Sequence, residues 1–120
     1  SGLIKDQYYP YIRPQESGNK TDIRWAKLTR KDGTGIMIAA TDTLLNLNVL
    51  PYAPDQLYPG PEKLQTHSGE LEYDASIHLD IDLQQMGVGG INSWGERPLD
   101  KYRLPYTNYV YSYLILPISK

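Results

Sequence analysis

The chain has 120 residues, a net charge of −2 at pH 7 and no cysteine. That length suits one domain with a workable core, while the missing cysteines exclude a disulfide framework and thiolate metal sites. The mixed, near-neutral charge gives no hold for nucleic acid or an anionic membrane, and no apolar run nears the ~18 residues of a membrane span. Ser1 and Gly2 read as a cloning remnant, and residues 3–120 as a single β-sandwich domain.

Nine prolines and ten glycines interrupt the chain too often for long helices. Tyr8 to Pro14 reads as extended, because Pro10 and Pro14 push the residues before them toward β geometry. Gln15 to Lys20 is a polar loop with Gly18 and Asn19 as turn formers. Asp22 to Arg30 alternates and is predicted as one strand. Lys31-Asp32-Gly33 is a hairpin signal, and Gly35 to Ala40 is expected to pair back on the preceding strand. Leu44 to Leu50 alternates, with Leu45, Leu47 and Val49 opposite Asn46 and Asn48. Pro54 is placed to start a single helical turn, and Leu64 to His67 reads as a short edge strand.

The clearest strand lies within Glu72 to Met86. Ile77, Leu79, Ile81 and Leu83 face one way, and His78, Asp80, Asp82 and Gln84 the other, the pattern of a sheet with one buried face. Asn108 to Ile118 is the last strand, with both faces expected to be at least partly covered. Short strands at close spacing, joined by turn chemistry, predict an all-β, antiparallel β-sandwich. Eleven tyrosines and no phenylalanine fit sheet edges and corners first, with half-wet sugar or protein contacts as the second reading.

The stretch Gln84 to Pro98, QQMGVGGINSWGERP, stands out. Gly87, Gly89 and Gly90, then Gly95, imply a backbone path closed to larger residues. Trp94 on such a loop either plugs one end of the core or touches a ligand or neighbouring domain. Asn92 and Ser93 beside it supply hydrogen-bonding groups, and Arg97 can pair with an acidic neighbour. An indole face beside amide and hydroxyl groups suits a sugar ring. Asp80 and Asp82 lie on one strand face with Cα atoms ~6.5–7 Å apart, but a flat face forms no cleft and separates no pKa values. Adding His78 gives a ladder whose side chains diverge, unlike a metal site. Gly-Val-Gly-Gly lacks the spacing and following helix of a dinucleotide loop. No catalytic residue is assigned.

Three strings together carry a resemblance: Arg13 to Trp25 (RPQESGNKTDIRW), Gln85 to Gly95 (QMGVGGINSWG) and Tyr102 to Pro105 (YRLP). Their order and separation resemble the C-terminal, small-chain domain of glycoside hydrolase family 2 β-galactosidases. The resemblance implies the latter half of a galactose-mutarotase-like super-sandwich. It implies a multidomain, often tetrameric parent that hydrolyses terminal β-D-galactosides. The parent's catalytic glutamates would lie in a TIM barrel absent here, and its magnesium and sodium in other domains, so this segment needs no cofactor and is expected to be inactive alone. It implies that Trp94 reaches the leaving-group side of the active site, toward the galactoside aglycone. Arg13, Glu16, Asn19 and Arg24 match positions read as loop and interface bracing against the barrel. The sequence departs from the family where Ile91-Asn92 replaces two residues that are often acidic. It also matches only the later half of the domain, so an unpaired strand edge would favour a homo-oligomer. A free-standing carbohydrate-binding module and a purely structural interface domain stand as alternatives.

Overall fold

A computed structural model describes residues 1–10, 17–57, 67–87, 92 and 95–120. These residues form an all-β fold. Among them are strands β1 (Lys20–Ile23), β2 (Trp25–Thr29), β3 (Gly35–Ala40), β4 (Leu45–Leu50), β5 (His78–Asp82) and β6 (Tyr113–Ile118), with one helical turn, α1 (Pro54–Leu57). They make two three-stranded sheets, ordered β1-β4-β5 and β2-β3-β6, the strand content expected of a β-sandwich. The chain divides into two compact units, one of Ser1–Thr21 with Asn46–Ile81 and one of Asp22–Leu45 with Asp82–Lys120. The first carries most of the β1-β4-β5 sheet, the second the β2-β3-β6 sheet.

In the second unit, β2 and β3 pair antiparallel from Trp25↔Ala39 to Thr29↔Gly35, as the Asp-Gly signal predicts. The turn is closed by the Arg30 amide donating to the Thr34 carbonyl at 2.8 Å. Gly33 takes the left-handed φ of 88° that such a turn needs. Asp32 Oδ1 accepts from the Thr34 hydroxyl at 2.7 Å and amide at 3.0 Å, and the hydroxyl bond above all holds its carboxyl below the usual carboxylate range. A Cβ on Gly35 would collide with the Leu28 carbonyl, so the hairpin closes only with glycine there. Central strand β3 buries Ile38 completely, opposite Ala26 on one side and Ile115 on the other.

Two expectations change in this unit. Asp22 to Arg30 is not one strand: it breaks at Arg24, and its halves enter different sheets. Asp22 adopts a left-handed φ of 56°, which aspartate tolerates better than most residues, while the Arg24 carbonyl accepts from the Ala40 amide at 2.9 Å. The alternation runs unbroken through this point, so periodicity alone does not reveal the break. The last strand is also shorter than Asn108 to Ile118, beginning at Tyr113. Upstream, the Tyr109 hydroxyl donates to the Pro105 carbonyl at 2.6 Å, a local contact in place of a ladder. Among the described residues β6 pairs with β3 alone, and Leu114, Ile115 and Leu116 are each at least 42% exposed. An edge strand also accommodates Pro117, which has no N–H to donate.

In the first unit, β4 buries Leu47, Asn48 and Leu50, while Val49 is half-buried. The predicted Leu45-Leu47-Val49 face therefore changes phase after Leu47. Tyr52, 8% exposed, supplies the core aromatic. Tyr8 meets it edge-on with ring centroids 5.1 Å apart, and Tyr73 stacks on it at 5.4 Å. Burial pushes its phenol pKa up. Pro54 starts α1 as predicted. Strand β5 covers only His78–Asp82, because the chain before it is held by side chains instead. Gln56 accepts from the Glu72 amide at 2.9 Å and donates to its carbonyl at 3.1 Å. Of the edge strand expected at Leu64 to His67, residues 64–66 lie outside the described residues. His67 instead leads into a 3-10 turn, its amide donating to Glu70 Oε2 at 2.6 Å.

Candidate functional site

The glycine-rich loop is described at its two ends. The Gly87 amide donates to the Tyr102 carbonyl at 2.7 Å. A Cβ on Gly87 would lie 2.8 Å from the Tyr102 Cβ, so glycine here permits backbone to pack directly on a tyrosine. Gly95 turns the chain with φ of 93°, in open space. Tyr102 is itself braced: its amide donates to the Leu99 carbonyl at 2.8 Å, and Lys101 Nζ sits 4.6 Å from its ring centroid. Next to it, Arg103 Nη1 donates to Asp100 Oδ1 at 2.6 Å. Asn92 and Arg97 are exposed. Gly89, Gly90, Ser93 and Trp94 lie outside the described residues, as do Arg13 and Glu16.

The remaining interface candidates fall in different settings. Asn19 is half-buried beside Gly18, and its Oδ1 is buried without a hydrogen-bond partner. Gly18 takes a φ of 77°, with the Gln7 carbonyl oxygen 2.6 Å from where a Cβ would lie. Arg24 is exposed at the point where the chain changes sheets.

Sequence reasoning misses a second feature, a cleft of about 180 Å3 in the first unit. Leu50, Pro54 and Leu57 form its apolar wall, Tyr52 its aromatic one, and Asn48, His78 and Asp80 its polar groups. His78 is tied to a residue that precedes its strand. Its Nε2 donates to Asp74 Oδ2 at 2.7 Å, and this bond, with one from the Ser76 amide, lowers the Asp74 pKa. Asp82 instead accepts from Gln85 Nε2 at 3.1 Å. Among the described residues no three His, Asp or Glu side chains are placed to hold a metal ion. The carboxylate four residues before His78 was a readable signal, but the pairing depends on the bend between them.

The described residues define an all-β domain. Residues 1–115 match the family described as β-galactosidase small chain, and the chain belongs to that family. It is 40% identical over 111 residues to a β-galactosidase of Priestia megaterium, covering 92% of this chain and 10% of that protein. It is 36% identical over 102 residues to β-galactosidase BgaC of Bifidobacterium adolescentis, covering 83% and 9%. A β-galactosidase of Halalkalibacterium halodurans is 32% identical over 101 residues, covering 84% and 10%. The chain thus spans about a tenth of the length of the curated relatives it matches.

Proposed function

We propose that this chain is the non-catalytic C-terminal domain of a family 2 β-galactosidase, and that its loop presents Trp94 to the leaving-group side of an active site built by another domain. The observation that carries this reading is the 40% identity across 92% of the chain to a β-galactosidase of which it covers a tenth. The bracing of the loop supports it further. One flank is packed on Tyr102 and the other turns at Gly95, a frame suited to holding a large side chain in one direction.

In this role Trp94 stacks on the C–H face of the aglycone sugar, while Asn92 and Ser93 exchange hydrogen bonds with its hydroxyls. Arg13, Glu16, Asn19, Arg24 and Arg97 brace the domain against the catalytic barrel. Hydrolysis of a chromogenic galactoside tests the division of labour. The whole polypeptide is expected to cleave it, and the 120 residues alone to leave it intact. Turnover by the 120 residues alone would overturn the proposal.

A further inference from the structure

We infer that the cleft of the first unit binds a single neutral sugar ring. Its volume of about 180 Å3 falls below the ~300–1,000 Å3 of sites for larger ligands, so it suits one ring and not a chain. The Leu50, Pro54 and Leu57 wall matches the C–H face of a pyranose. The polar groups are an amide, an imidazole and a carboxylate, from Asn48, His78 and Asp80. With Nε2–H given to Asp74, Nδ1 is the other His78 ring nitrogen, and a guest hydroxyl, which both donates and accepts, can bond it with or without a proton. Asp80 offers a carboxylate. Asn48, 3% exposed, contributes a side-chain amide to the lining.

This mixed set calls for a guest whose hydroxyls both donate and accept. An anion is disfavoured by Asp74 and Asp80, and a purely apolar guest would strip water from three polar groups without replacing it. Tyr52 is fixed between Tyr8 and Tyr73, so that wall is preorganised. The choice of sugar rests on the proposed function, because galactoside hydrolysis releases free D-galactose.

The test is an NMR titration of D-galactose into the 120-residue chain, following the His78 imidazole and the Asn48 side-chain amide. Saturable shifts at both are expected. Asn48→Leu should weaken binding roughly tenfold, the loss expected for one hydrogen bond, and Leu57→Trp should fill the cleft and abolish it. Unchanged amide signals of Ser68–Glu70, in the same unit as the cleft, certify the fold of each variant. Trp94→Ala should leave the titration unaltered. Absence of saturation, or saturation that survives Leu57→Trp, would overturn the inference. A saturating cleft in a polypeptide that hydrolyses no galactoside would sustain the inference while removing the proposed function; hydrolysis with a silent cleft would do the reverse.

Discussion

The Gly87 amide is bound to the Tyr102 carbonyl at 2.7 Å, and a Cβ on Gly87 would stand 2.8 Å from the Tyr102 Cβ. No side chain fits between them, so the start of the glycine-rich loop is clamped to a segment fifteen positions later. Gly87→Ala must push Tyr102 away, an overpacking cost of about 1–3 kcal/mol. Thermal unfolding should show the loss. Gly95→Ala meets open space but a left-handed backbone, so its cost should be confined to about 1–2 kcal/mol of conformational strain. If Gly87→Ala proves the milder of the two, the clamp is not rigid.

Acid stability should report two local hydrogen-bonded carboxylates. Asp74, held by His78 and the Ser76 amide, and Asp32, held by Thr34, both titrate below the ordinary 3.8. A depressed folded pKa gives stability that is present above the unfolded value of about 4 and lost as pH falls through the folded one. Denaturant midpoints should therefore decline below about pH 4, and the Asp74→Asn, Asp32→Asn double variant should decline less steeply. Parallel slopes for the two proteins would contradict this assignment.

Among the described residues strand β6 has a neighbour on one side alone, and Leu114, Ile115 and Leu116 are exposed. An apolar edge of this kind is a template for pairing with another strand. The 120-residue chain should self-associate with rising concentration in analytical ultracentrifugation, and Ile115→Lys should shift it toward monomer. A wild-type chain that stays monomeric throughout would show that this edge does not drive association.

Legibility in the sequence followed how local the determining chemistry was. The β2–β3 hairpin was readable because Asp32 and Gly33 specify the turn within a few residues. Pro54 announced its helical turn for the same reason. Family membership was readable from short strings around Trp25 and Trp94. The break at Arg24 was not readable, because a period-two pattern continues when a strand passes from one sheet to another. The phase change in β4 was hidden too, since burying Asn48 runs against hydrophobic patterning. The cleft escaped notice because its wall joins residues from β4, α1 and β5, separated by some thirty positions and united only by folding.

The most direct measurement of the central claim is steady-state galactoside hydrolysis by the full-length polypeptide carrying Trp94→Ala, with inhibition by glucose as a reporter of the proposed leaving-group position. Loss of one aromatic stacking surface should weaken glucose binding by about 1 kcal/mol, near fivefold, and raise KM for a disaccharide, with secondary structure and assembly unchanged. Glucose inhibition and KM identical to wild type would contradict the claim that this loop delivers an indole to the substrate.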